Sequence, residues 1–443
     1  MNGLTIAHRV KQDCEPKLDR STQQAAFLLG LSLFFLMLFV PTVYQPLKAI
    51  VLAVLLYVIL IGILTNQIKF ALHYSVVIWV CVLVGTGLFF IFWGVVNNAP
   101  GALRVATVYV LWPLVFTFLI AAISSAHAFQ AIFTTIIVAS LAIGVYSLTF
   151  IGYATGLLPS WMYFELDQGQ AIGLHGGFVE YNMYSISTLI FVVPFMFALL
   201  HGFVFNQKSL FWLLCLAFVL CLILAILSGR RVLWLVLILT PIIYGLLSII
   251  KIKRERIKLR FNVAWLVLLP ILTIVLTFVF GTFELDLYAI IKQIVAAFGG
   301  GSGPIEASAY LRFEQAAALH DGWMQSPLLG HGHGAVAGVI RSYEMPWAYE
   351  LQYHALFFNT GIVGALLYAG CIVWIYWQGV RMIRSSVEYG RLMLPLLVGL
   401  TCFLIANATN PYLLKFDYMW VIFLPLAIIN RFLIEFNPRR SKQ

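Results

Sequence analysis

Apolar residues run along this chain in blocks of roughly 20, without the alternation of half-buried strands or the one-sided stripe of soluble helices, and each block is long enough for a helix to cross about 30 Å of hydrocarbon. The blocks lie at 25–44, 49–66, 75–96, 102–122, 129–151, 181–204, 210–228, 232–250, 262–281, 356–378, 392–408 and 419–435. They predict an all-α polytopic membrane protein of about twelve transmembrane helices, nine within 25–281 and three within 356–435. Between the ninth and tenth lies a large loop, 282–355, and the polar segments 1–24 and 436–443 form the two tails. Inside the loop, Gly299-Gly300-Gly301-Ser302-Gly303-Pro304 signals a turn, Glu306 to Trp323 a short helix, and Gly330-His331-Gly332-His333-Gly334 a second turn. A loop of this length beside a compact bundle is usually functional. Pro194, Pro270 and Asn410-Pro411 mark kinks or boundaries.

Composition sharpens this picture. Of 443 residues 62% are hydrophobic and 10% charged, and the mean hydropathy is +0.96, which excludes an ordinary soluble domain. The first block follows Arg9, Lys11, Lys17 and Arg20, has no small-residue cleavage site, and is expected to stay as a span. The six cysteines are Cys14 and five within apolar blocks, so no disulfide framework and no CxxC site is expected.

The net charge of +10 is divided among alternate loops, chiefly Lys251 to Arg260, then Arg381, Arg384 and Arg391, then Arg439, Arg440 and Lys442. That is the positive-inside pattern, which puts these loops and both termini in the cytoplasm and points to membrane lipid, not nucleic acid, as the partner of the excess charge. Segments 152–180, 282–355 and the turn carrying Arg230 and Arg231 then face the other side. Two arginines at that boundary call for an anionic partner, because guanidinium matches phosphate with two parallel hydrogen bonds.

Further candidates lie on the same side. Arg312 stands on the expected loop helix in Tyr310-Leu311-Arg312-Phe313-Glu314, two residues from Glu314, a spacing that forms no helix pair. Glu350 and His354 are four residues apart before the tenth span; on a helix they share a face, and either could remove a hydroxyl proton. His175, Asn182, His331 and His333 are candidates to line the same cavity. The two histidines of the glycine-rich turn lack a carboxylate cluster, Glu165/Asp167 and Glu284/Asp286 have DxD-like spacing, and arginines can neutralise a phosphate, so no metal and no other cofactor is expected.

The order of these pieces resembles the O-antigen polymerase and O-antigen ligase superfamily of bacterial membrane glycosyltransferases. Ser228-Gly229-Arg230-Arg231 is similar to its Ser/Gly-Arg motif, and Arg312 followed by Pro327-Leu328-Leu329-Gly330-His331-Gly332 to its "R … PLLGxG" segment. Asn359-Thr360-Gly361-Ile362-Val363-Gly364 is similar to its "TGxxG" span, and His175 to Asn182 to its "GxF…N" segment. The resemblance implies a multi-pass protein of the bacterial inner membrane with a periplasmic, metal-independent site. It implies an undecaprenyl-diphosphate-linked glycan donor, with Arg230, Arg231 and Arg312 on the diphosphate and Glu350 or His354 activating the acceptor hydroxyl. The acceptor would be another lipid-linked glycan in a polymerase or the lipid A core in a ligase, with a chain-length regulator as a further partner. Ligases usually carry a histidine eleven residues before the first glycine of the last motif; Glu350 stands there, which favours the polymerase branch. The competing class is a lipid-linked glycan transporter, whose charges should lie at mid-membrane depth.

Overall fold

The computed structural model describes residues 21–122, 126–175, 178–202, 208–250, 277, 281 and 307–436. The basic N-terminal segment, the Lys251 to Arg260 cluster, the ninth apolar block, the Glu284/Asp286 pair, the Gly299 to Pro304 turn and the basic C-terminal tail fall outside the described residues. Every other expected span is occupied by one helix. They are α1 (Ser21–Phe39), α2 (Gln45–Leu64), α3 (Tyr74–Val96), a π-helical turn (Thr107–Leu111) leading into α4 (Trp112–Ala122), α5 (Ala126–Ala154) and α6 (Ile186–Gly202). After these come α7 (Lys208–Leu227), α8 (Arg231–Ser248), the loop helix α9 (Ala307–Gln325), α10 (Gln352–Ser385), α11 (Val387–Asn407) and α12 (Trp420–Glu435). Among the described residues eight helices are long and apolar enough to cross a membrane: α1, α2, α3, α5, α7, α8, α10 and α11.

The sixth span is shorter than its apolar pattern. Phe178–Asn182 is extended and pairs antiparallel with Ala171–His175, Ala171 opposite Asn182, so residues expected at the head of a helix form the second strand of a hairpin. α6 is apolar all round, α11 is so beyond the Glu388 and Arg391 of its first turns, and the two pack at the centre of the bundle. Leu394, Leu396, Leu397, Val398 and Leu400 are all buried, as are Leu189 to Val193. Gly399 lets the Phe191 ring approach; a β-carbon there would lie 2.8 Å from its Cε2.

Polar bonds fix which helix ends lie together. At one end Asn430 accepts from His73 N and donates to Ala71 O, tying α12 to the α2–α3 connection. At the other, Thr188 Oγ1 at the head of α6 donates to Leu38 O of α1 at 2.9 Å. There too Lys48 Nζ of α2 meets Asp417 Oδ1 at 2.6 Å, with both side chains 1% exposed. Asp417 also accepts from Thr42 N and Gln45 Nε2, so its carboxylate is fully engaged, as a buried ion pair requires.

α10 is broken at Gly361, whose φ of 57° and ψ of −165° end one helical segment and begin another. The groups freed by the break are taken up by the segment after α9. His331 N donates to Phe358 O and Gly332 N to Asn359 O, while Ile362 N donates to Pro327 O and Val363 N to Leu328 O. Irregular backbone at such a position survives only where its polar groups are met by protein. The fit leaves no room for side chains: a β-carbon on Gly332 would lie 2.2 Å from Gly94 Cα, on Gly334 2.2 Å from Gly101 C, and on Gly361 2.3 Å from Leu328 C. All three also have φ between +57° and +88°, a region open chiefly to glycine. The glycine-rich turn is therefore a wedge between α3 and the two halves of α10.

Candidate active site

Arg230 precedes α8 at the same end of the bundle as Lys48 and Asp417. Ser228 ends α7, Gly229 turns the chain with φ of 65°, and the Cγ of Glu180 would lie 3.0 Å from any β-carbon at Gly229. The Ser228 hydroxyl accepts from Arg230 N at 3.3 Å. The guanidinium points back across the hairpin: Nη2 donates to Asn182 Oδ1 and Nη1 to Ser187 Oγ at 3.5 Å. Asn182, expected as a cavity residue, is thus the group that orients Arg230. Arg231 is exposed as the first residue of α8. His175 closes the hairpin opposite Phe178, and its side chain lies outside the described residues.

A second cationic group adjoins Arg230. Lys415 lies in the turn before α12. Its side chain is exposed, yet the protein packed around it keeps part of the water from its ammonium and holds it below the ordinary lysine pKa; Asp417 works against this and the positive charge of Arg230 adds to it.

The loop helix supplies the next cluster. Arg312 Nε donates to Glu350 Oε2 at 2.6 Å, and Arg341 Nη1 reaches the same oxygen at 2.5 Å. The arginines are 38% and 42% exposed and the glutamate 17%, so the cations face outward over a carboxylate that anchors them. The expected pairing of Glu350 with His354 on one helical face does not form. α10 begins at Gln352, leaving Glu350 in the preceding bend, while His354 is exposed on the first turn. Beside it Tyr353 Oη donates to Leu404 O of α11 at 2.6 Å, holding this turn against the bundle.

The two histidines of the wedge go elsewhere. His333 is fully buried: its ring stacks on Tyr109 at 3.7 Å and Nε2 bonds Tyr368 Oη at 2.9 Å. Burial pushes its pKa down to about 3. It therefore sits neutral in the packing and not on the wall of a cavity. His331 Nε2 donates to Gly322 O at 2.8 Å and faces a cleft beside α9. Among the described residues no three His, Cys, Asp or Glu side chains gather as a metal set.

Sequence reasoning missed Arg341, Lys415 and the Lys48–Asp417 pair. A lone arginine or lysine in a loop carries no local signal, and Lys48 and Asp417 are 369 residues apart. Compared with family models, with curated proteins and with solved structures, the chain matches none.

Proposed function

We propose that the chain is a membrane glycosyltransferase of the O-antigen polymerase and ligase type. It joins undecaprenyl-diphosphate-linked oligosaccharide repeat units at the periplasmic face of the bacterial inner membrane. The observation that carries this reading is the placement of outward-facing guanidiniums, Arg230 on Asn182 and Ser187 and Arg312 and Arg341 on Glu350, at one end of an apolar bundle. A lipid diphosphate has its hydrocarbon in the bilayer and its charge at the surface, and it fits such an arrangement. A transporter would need its charged groups at mid-depth along a pathway.

In the reaction the acceptor hydroxyl oxygen bonds to the anomeric carbon of the donor, the bond from that carbon to the diphosphate oxygen breaks, and the hydroxyl proton passes to a base. The guanidiniums stabilise the charge that builds on the departing diphosphate. Glu350 has its Oε2 committed to two arginines, so we assign it the positioning of Arg312 and Arg341. His354, exposed on the first turn of α10 with an imidazole that can take up a proton, is the base we favour.

Purified protein given the lipid-linked repeat unit, with and without core lipopolysaccharide, tests the reading. Longer lipid-linked glycans are expected in both mixtures; glycan on the core alone would make it a ligase, and no transfer with either acceptor would overturn the reading. Arg312→Lys keeps the charge but loses the fork, and it should remain impaired. Full transfer by Arg312→Ala at normal expression would sink the role given to that residue.

A further inference from the structure

Beside the arginine cluster, on the other stretch of α9, lies a cleft of about 560 Å³ whose chemistry is of a different kind. Its rim is formed by Asn97 and Asn98 after α3, by Asp321 and Gln325 on α9 and by His331 of the wedge, over a floor of alanines and Phe358. Among the described residues no lysine or arginine lines it. Asn97 Nδ2 donates to His331 O at 3.3 Å, and His331 is turned by its bond to Gly322 O, so the rim is held by the wedge itself. Asn98 takes a φ of 57°, a left-handed conformation that asparagine tolerates better than most residues.

We propose that this cleft binds the uncharged part of a glycan, the acceptor chain, next to the diphosphate site. This rests on the glycosyltransferase reading and names where its second substrate lies. The argument is one of matched chemistry. A sugar ring presents hydroxyls at its edges and C–H groups on its faces. A rim of amides and one carboxylate over a small apolar floor offers donors and acceptors to the first and contact to the second. A phosphate would find no cation there. The volume falls within the roughly 300–1,000 Å³ of small-molecule sites. Arg312 and Asp321 share α9 and are nine residues apart, which is about 14 Å along the axis and about two and a half turns, so they stand on opposite sides of the helix. An acceptor seated in the cleft therefore has to pass round α9 to bring its end to the arginines, which asks for an oligosaccharide of several sugars and not a single ring.

The test uses the full chain in lipid nanodiscs and two probes read by ligand-observed NMR. One is a panel of short, uncharged, lipid-free oligosaccharides, including N-acetylated sugars; the other is farnesyl diphosphate. Asp321→Ala combined with Gln325→Ala removes two hydrogen-bonding side chains and should weaken oligosaccharide binding about tenfold or more. Gly338→Trp should abolish it, because a β-carbon at Gly338 meets open space and the indole would fill the cleft. Farnesyl diphosphate binding should stay unchanged in both variants. Failure of the whole panel to bind the unaltered protein, oligosaccharide binding indifferent to both changes, or parallel loss of both probes would each overturn the proposal. If farnesyl diphosphate does not bind while the oligosaccharide does, the cleft assignment stands and the diphosphate reading falls.

Discussion

Replacing Glu350 by glutamine separates the two roles a carboxylate could have at this site. In the structure its Oε2 lies 2.6 Å from Arg312 Nε and 2.5 Å from Arg341 Nη1. The amide keeps the shape and removes the charge, leaving two guanidiniums side by side without their counterion. Because the arginines are 38% and 42% exposed, each pair is screened and contributes no more than about 1 kcal/mol, so the loss is about 1–2 kcal/mol in all. If that energy serves only to hold the arginines in place, transfer falls about tenfold, since about 1.4 kcal/mol corresponds to one decade in rate. A general base is worth more: its removal costs about 100- to 10,000-fold. The assay is the rate of glycan transfer from lipid-linked donor in the same membranes for the unaltered protein, Glu350→Gln and His354→Ala, each followed across pH. The modest loss should belong to Glu350→Gln, with its pH profile unchanged in shape. The large loss should belong to His354→Ala. A thousandfold loss in Glu350→Gln together with a normal His354→Ala would refute the assignment of roles.

Other consequences follow from the same contacts. Asp417→Ala leaves Lys48 buried without its partner and should destabilise the protein by about 3–5 kcal/mol in a detergent melt, whereas Lys48→Met with Asp417→Leu should recover part of that, the remainder being the donors of Thr42 and Gln45 left unmet. Gly332→Ala combines a left-handed residue, about 1–2 kcal/mol, with overpacking against Gly94, about 1–3 kcal/mol, and should lower the melting temperature and transfer together. His333 is neutral in the fold down to about pH 3 but takes a proton near pH 6.5 when unfolded, so the unfolded chain binds more protons between these values. Stability should therefore be lost as pH falls below 6.5, by about 1.4 kcal/mol per pH unit, and His333→Phe should flatten that dependence. Arg230→Lys keeps the charge but cannot hold both Asn182 and Ser187, and donor binding should weaken while the melt is unchanged.

The helical membrane character was legible because hydrophobic run length is a local property, and among the described residues eight helices are long and apolar enough to cross a membrane. What was not legible depended on partners far away in the chain. Tyr181 and Asn182 read as the head of an apolar run, but pairing with Ala171 and Ile172 made them a strand. Glu350 and His354 have helical spacing, yet the helix starts two residues after Glu350, because its carboxylate is drawn to Arg312 and Arg341 from two other segments. The glycines of the wedge announced a turn without saying what it turned into. Their φ values are a local matter, whereas the need for bare backbone comes from Gly94, Gly101 and the break at Gly361. The first loop around Gln45 has no carboxylate of its own and borrows that of Asp417.

The splice between the wedge and α10 also decides how substrates can arrive. Four backbone hydrogen bonds join Pro327, Leu328, His331 and Gly332 to the two halves of the broken helix. Lifting α9 and its following segment off the bundle would break them all and strand their donors and acceptors, at about 1–3 kcal/mol for each buried group left unmet. An excursion that costly is too rare to serve each turnover, so α9 does not work as a hinged lid. Arg312 stands on a fixed roof, and under the proposed function a lipid-borne donor would have to reach it by sliding in the plane of the membrane between helices, not by waiting for the roof to open.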